Sequence, residues 1–331
     1  MQTFAYGRAT TADVALATLA EQPRGAFLAG GTSLLDLMKL GVETPDVLID
    51  ISRLAETALL DQRGGMRLGA LARNSDVAAD ARVQARYPML AEAILSGASP
   101  QLRHMATLGG NLLQRTRCLY FRDTHAPCGK RTPGESCSAK EGTHRSHAIL
   151  GTSEACFATH PSDMAVALVA LEAIIVVRGP QGERRIPIDE FYLQPGATPH
   201  RETVLAHGEF IVALELPALS FGEGSRYLKV RDRATYEFAL ASAAVALDVQ
   251  DGRIHQARVA LGGVGTVPWR ARAAEAALTG APATTEAFER AAQAELASAS
   301  PRRDNRFKVA LARKTLVRAL SEVAASKGGR A

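Results

Sequence analysis

Between Arg115 and Ala155 the sequence is polar and rich in Gly, Arg and Cys, and no spacing of apolar residues there would make a helix face or a strand. A connection of ~40 residues without structure of its own is rare inside a compact domain unless something ties it together. The four cysteines of the chain, Cys118, Cys128, Cys137 and Cys156, lie in this stretch or at its immediate end, with nine, eight and eighteen residues between them. A cross-link through sulfur is therefore the first constraint on the fold. Three kinds are open. Zinc sites more often use tight pairs such as C-x2-C, so the spacing speaks against zinc. Two disulfides need an oxidising compartment and are less usual in a long chain. Four thiolates around an iron–sulfur cluster fit the count, and irregular backbone tolerates the spacing. From Arg115 to His147, seven cations (Arg115, Arg117, Arg122, Lys130, Arg131, Lys140 and Arg145) face only Asp123, Glu135 and Glu141. Nearby cations favour ionised thiols; the same surplus suits a basic loop against a partner. His104, His125, His144, His147 and His160 lie close by, but no pair has helical metal-ligand spacing.

The remaining composition excludes several classes. Thirty-nine Lys and Arg against 34 Asp and Glu leave +5 over 331 residues, too weak a field to point to nucleic acid. The longest apolar stretch, Met164 to Val177, contains Glu172 and is shorter than the ~20 residues of a membrane span. The start, MQTFAYGRATTADVALATLA, has neither the basic opening nor the apolar run of a secretory signal.

The first 55 residues alternate strands and helices. A helix capped by Thr10 or Thr11 runs through Ala20. A strand at Ala26–Ala29 enters Gly30-Gly31-Thr32-Ser33, a second helix ends at Gly41, and Val47–Ile51 is the next strand. A second lobe follows, with a strand in MRLGA and helices near Ser75–Ala79 and Met89–Gly97. Beyond the cysteine stretch come a helix after Pro161 and the strand IIVVR. Met164, Ala167, Leu168 and Leu171 form its core stripe. From about Ser220 an α+β domain is expected. Ala239–Val249 and Arg253–Leu261 flank the hairpin signal Asp251-Gly252, and Ala-rich helices follow, broken at Gly280-Ala281-Pro282.

Two glycine pairs carry possible cofactor chemistry. Leu28-Ala29-Gly30-Gly31-Thr32-Ser33-Leu34-Leu35 sits between a strand and a helix start, where amides can converge on a phosphate. Thr107-Leu108-Gly109-Gly110-Asn111 immediately precedes the cysteine stretch. Each also reads as a plain tight turn, and the third pair, in VALGGVG, reads as structural. No G-x-G-x-x-G, G-x-S-x-G, H-E-x-x-H or Walker loop is present, which leaves nicotinamide-Rossmann, hydrolase and NTPase readings unsupported.

Taken together, these motifs resemble the FAD-binding medium subunits of the molybdenum hydroxylases, the group of the xanthine dehydrogenase and carbon monoxide dehydrogenase flavoproteins. The family's A-G-G-T-[NS]-L-x-D-x-M-K is similar to Ala29–Lys39, its T-[IL]-G-G-N to Thr107–Asn111, and its S-D helix start to Ser162-Asp163. Its K-x-x-R strand resembles Lys229–Arg233, and VALGGV and PWRA resemble its last domain. The insertion with four cysteines departs from the general pattern. It is similar to that of the periplasmic aldehyde oxidoreductases, whose medium subunit holds a 4Fe–4S cluster beside FAD.

The resemblance implies an α+β fold: a two-lobed FAD domain of the PCMH type (1–55, and 56–219 with the insertion at about 115–156) and a C-terminal α+β domain (220–331) with an antiparallel sheet and helices. It implies FAD contacts from Phe27, Leu28, Ala29, Gly30, Gly31, Thr32, Ser33, Leu34 and Leu35, from Thr107, Gly109, Gly110 and Asn111, and from Asp163, Ile211 and Lys229. Lys229 would be the cation near the flavin. It implies Cys118, Cys128, Cys137 and Cys156 as ligands of a 4Fe–4S cluster. It further implies a heterotrimer with a large molybdenum-cofactor subunit and a small 2Fe–2S subunit, no nucleic acid and no membrane span. Location would be periplasmic by co-export with a signal-bearing partner, or else cytoplasmic. The rival functions are a non-redox zinc-loop scaffold and a stand-alone NAD-linked flavin reductase.

Overall fold

The computed structural model describes residues 1–62 and 64–328, the side chains of 327 and 328 excepted. The first of its three sheets is parallel, in the order β1 (Ala5–Arg8), β3 (Val47–Asp50), β2 (Gly25–Leu28). The helix Ala12–Ala20 connects β1 to β2. Thr11 caps it by accepting the Val14 N–H at 3.2 Å, as its place before an apolar-periodic run predicts. Leu34–Lys39 is the helix after the first glycine pair.

The second sheet is antiparallel, in the order β4 (Leu59–Gln62), β5 (Gly65–Gly69), β8 (Phe210–Leu216), β6 (Ile174–Gly179), β7 (Gly182–Pro187). Every residue of β8 is buried, because it has a core on each side. Phe210 and Val212 pack with Leu16 and Ile49 of the first lobe, whereas Ile211, Leu214 and Leu216 pack with the helices behind. Strand pairing jumps from Val176–Ala213 to Val177–Ile211, so β8 carries one extra residue and the alternation of faces shifts there. Behind the sheet lie helices Asn74–Ala79, Ala81–Arg86, Pro88–Ser96 and Asp163–Ala170, the last with all its residues buried.

The third sheet is β12 (Trp269–Arg270), β11 (Arg253–Gly262), β10 (Ala241–Gln250), β9 (Arg226–Val230), also antiparallel. Asp251 and Gly252 both have positive φ (49° and 71°), as a two-residue hairpin turn of matching twist requires. One face buries Val245, Leu247, Val259 and Leu261 against helices Arg272–Leu278, Thr285–Leu296 and Phe307–Gly328. The other face, through Ala244, Ala246 and Ala260, shares the core of the second sheet and its helices.

The cysteine stretch is irregular, as expected, apart from the helical turns Leu119–Arg122 and Ser138–Lys140. Charge and polar groups hold it. Arg131 donates to the carbonyls of Tyr120, Phe121 and Asp123, each at 2.9 Å. At its far end Asn305 Nδ2 donates to the carbonyls of His147 (3.2 Å) and Ala148 (3.1 Å). Lys308 Nζ donates to the Ser146 and Gly263 carbonyls at 2.9 and 2.7 Å. The C-terminal helix thus staples the insertion to the turn after β11.

Lys308 is fully buried, and neither acceptor is a carboxylate. Burial first, then the Arg145 charge, lowers its pKa from 10.5 to about 7. A depressed folded-state pKa means that the unfolded chain binds the extra proton between the two values. Stability is therefore expected to rise with pH from about 7 to 10.5 and to be lost again as pH falls to 7. Urea denaturation across this range checks it: the slope should flatten in Lys308→Met, and an unchanged slope would contradict the assignment.

Candidate functional site

A cleft lies between the first lobe and the second sheet. The first glycine loop forms one wall, with Ala29, Gly30, Gly31, Thr32, Ser33 and Leu34. Phe27, at the end of β2, stacks edge-on against Phe210 with ring centres 5.2 Å apart and closes the floor. Thr107, Gly109 and Gly110 form the opposite wall, with Ile211 of β8 beside them. Among the described residues, the amides of Gly31, Thr32, Ser33 and Leu34 have no backbone acceptor, so they remain free for an anion at the helix start. The second pair does not form a loose turn. Leu108–Leu112 is a helical turn capped by Thr107, which accepts the Gly110 N–H at 3.2 Å.

Two glycine positions set this geometry. Gly31 has φ +73°, the left-handed region. A Cβ on Gly30 would sit 2.1 Å from the Met105 carbonyl oxygen, so the two loops approach only because residue 30 has no side chain. Leu28 and Leu35 do not line the cleft. They lie behind it, and their methyl groups are the nearest atoms to the inner side of Gly31.

Asp163 is elsewhere, lining a second cavity between the start of helix Asp163–Ala170 and the third sheet; Lys229, not itself a lining residue, pairs with it. Lys229 Nζ donates to Asp163 Oδ2 at 2.8 Å and to the Ser96 carbonyl at 3.0 Å, and the Tyr227 hydroxyl donates to Asp163 Oδ1 at 2.6 Å. Lys229 is 3% exposed at the side chain, so Asp163 neutralises the cation that the family resemblance implies near the flavin. Burial, then the Asp163 charge, pushes the Tyr227 hydroxyl well above its usual range, so it stays a donor. Asn111 is not among the lining residues of either cavity; its Oδ1 accepts from Ser162 Oγ, a residue of the second cavity, and from Gln114 Nε2, both at 2.7 Å, which leaves its amide group free to donate.

The four cysteines come together. Cys118, Cys128, Cys137 and Cys156 line one small cavity with Tyr120, His147 and Lys130, and all are free thiols. An antiparallel bridge sets Cys128 opposite Cys137. Phe121, Leu37 and Cys128 form a small core beneath, joining this cavity to the helix of the first glycine loop. Burial is the largest influence on the thiols: it raises Cys118 to about 12 and also raises Cys137 and Cys156. The expected effect of cations is present, through Lys130 on Cys156 and Lys140 on Cys137, but burial outweighs it. Without a ligand Cys118, Cys137 and Cys156 stay protonated at neutral pH, and a metal centre bound there would displace those protons. Among the described residues, no three His, Cys, Asp or Glu side chains are gathered closely enough for a single metal ion.

Comparison with known proteins then places the fold. Residues 2–219 match the FAD binding domain in molybdopterin dehydrogenase, and residues 226–323 the CO dehydrogenase flavoprotein C-terminal domain. The chain belongs to the FAD-binding subunits of the molybdenum hydroxylases. It is 49% identical over 98% of its length to the aldehyde oxidoreductase FAD-binding subunit PaoB of Escherichia coli (strain K12), covering 99% of that protein. It is 31% identical to the carbon monoxide dehydrogenase medium chain of Hydrogenophaga pseudoflava, covering 89% of this chain and 88% of that one. A carbon monoxide dehydrogenase structure from the same organism superposes with a TM-score of 0.77 over 98% of both chains. These relatives are oxidoreductase subunits, so this member of the family is one also. Its fold is the two-lobed FAD domain followed by an antiparallel-sheet domain. No described helix is long and apolar enough to cross a membrane.

Several residues of the cleft were not expected from sequence. Phe210, Leu113, Glu43 and Arg115 all line it. Arg115 pairs with Glu43 and with Glu202 (2.7 Å) and lies over the Phe121 ring at 4.5 Å, so it ties the cleft to the insertion. Phe210 is the one that its place next to Ile211 could have suggested. The partners of Arg115 are 72 and 87 residues away, and no local pattern reports them.

Proposed function

We propose that this chain is the FAD and 4Fe–4S subunit of a heterotrimeric molybdenum aldehyde oxidoreductase. Electrons from aldehyde oxidation on a large molybdenum-cofactor subunit would arrive through a small 2Fe–2S subunit and leave for an external acceptor. The convergence of four thiols, distant in sequence, on one cavity beside the flavin lobe carries the reading. The relative named as an aldehyde oxidoreductase subunit supports the substrate class.

The free amides of Gly31–Leu34 would hold the FAD pyrophosphate, with Thr107, Gly109 and Gly110 facing them. Asn111, next to Gly110, would donate its free amide to the cofactor, and Asp163, held by Lys229 and Tyr227, would be a further contact. FAD, when bound, supplies the exchange between paired and single electrons that such a chain of centres needs. Phe27, Phe210 and Ile211 exclude water from its apolar part. Cys118, Cys128, Cys137 and Cys156 would bind the cluster. The changeover of family matches between residues 219 and 226 supports the proposed boundary at 219/220, with the lobes dividing near residue 55.

Aldehyde added anaerobically to the assembled complex should bleach the flavin absorption, whereas the isolated chain should not respond. Aldehyde oxidation by the isolated chain, or an unbleached flavin in the active complex, would contradict the proposal. Location follows the same reading: the subunit would reach the periplasm by co-export with a partner that carries a signal. Fractionation with and without that partner checks this.

A further inference from the structure

The cysteine cavity and the second cavity share a wall made of Cys118 and His147, which line both. His147 is 4% exposed, and its Nε2 lies 3.2 Å from Cys118 Sγ. Its Nδ1 is buried with no partner. The backbone fixes the ring where it is: Asn305 Nδ2 donates to the His147 carbonyl at 3.2 Å, and the His147 N–H donates to the His144 carbonyl at 3.1 Å. Phe157 packs on the ring with centres 5.1 Å apart. No other described side chain makes a polar contact with the Cys118 sulfur.

We infer that His147 is a positioning residue for the cluster, donating an Nε2–H hydrogen bond to the Cys118 sulfur at the wall facing the second cavity and so raising the cluster's reduction potential. This rests on the 4Fe–4S reading above. A ligated sulfur carries no proton, so the imidazole must be the donor in the pair. The lone Nδ1 is then the unprotonated nitrogen, which leaves no buried N–H unpaired. One electron taken from a reduced flavin adds one negative charge to the cluster and moves no proton. An N–H aimed at a ligand sulfur stabilises that added charge, and hydrogen bonds to the sulfurs are among the main determinants of such potentials. Cys118 is also the ligand that borders the second cavity, where Asp163 lies.

The test uses the assembled complex, with iron and acid-labile sulfide measured first. Absence of both in the wild type would sink the cluster reading and this inference with it. Given a cluster, pulsed EPR of the reduced complex carrying 15N-histidine should show a histidine-nitrogen coupling that disappears in His147→Gln. This readout needs the wild-type fold and one conservative variant only. Redox titration should place His147→Phe below the wild type and His147→Gln between them, because the glutamine amide can still donate. A wild-type cluster without any histidine coupling, or equal potentials in all three proteins, would overturn the inference while leaving the cluster reading intact.

Discussion

Gly30→Val should empty the FAD site. The added Cβ would meet the Met105 carbonyl oxygen at 2.1 Å, the Met105 carbonyl carbon at 2.9 Å and Ala106 Cα at 3.2 Å. These are backbone atoms and cannot rotate aside, so the first glycine loop must move away from the segment that leads into Thr107. The free amides of Gly31–Leu34 and the Thr107 wall would then no longer face one ligand. We expect FAD affinity to fall by at least ~100-fold, or about 2.7 kcal/mol. Gly31→Ala should cost less, about 1–2 kcal/mol, because it forces a side chain into the left-handed region without a backbone collision. Gly7→Ala, in β1, is the control: nothing lies within 4 Å of its Cβ position, and FAD should bind as before. Fluorimetric titration of the apoprotein reads all three. Normal FAD binding by Gly30→Val would show that the two loops do not form one site.

Cys128→Ser should remove the iron while leaving FAD in place. Cys128 is 7% exposed, stands opposite Cys137 and packs with Phe121 and Leu37. A serine hydroxyl is a poor replacement for a thiolate ligand, so iron should fall to about a tenth of the wild-type content or less. The cleft residues belong almost entirely to other segments, and FAD occupancy should stay close to that of the wild type. The insertion has little core of its own. A cross-link across ~40 residues restricts the unfolded chain by about 4 kcal/mol in the loop-entropy picture, and that contribution disappears with the cluster. Limited proteolysis should therefore cut the variant between residues 115 and 156 while the wild type resists. Unchanged iron in Cys128→Ser would remove Cys128 from the ligand set.

The parts of this molecule legible in its sequence are those with a local signature. Thr11 before an apolar-periodic run, the Asp251-Gly252 hairpin and the break at Gly280-Pro282 all stand where local chemistry puts them. The strand Phe210–Leu216 left no alternation to read, because it is buried on both faces and carries an extra residue opposite β6. The edge strand Gly182–Pro187 failed for the opposite reason: four of its six residues, Gly182 to Arg185, are exposed and polar or glycine, and it resembles a loop. The second glycine pair read as a turn because glycines disfavour helices, yet the Thr107 cap holds a short helical turn there. Asp163 and Lys229 were visible as motif residues. Their mutual ion pair joins residues 66 apart in sequence, so the cancellation of the lysine charge appeared only in three dimensions. The same holds for the cysteines. Their count and the absence of a core around them were plain, whereas their convergence on one cavity belongs to the fold.

The central claim is that one chain carries both FAD and a multinuclear iron–sulfur centre on its four cysteines. Metal, sulfide and flavin analysis of the purified chain, prepared anaerobically, tests it most directly. The account predicts one FAD with iron and acid-labile sulfide in equal amounts near four each, and no zinc. One zinc per chain, or four titratable thiols with no iron, would contradict it.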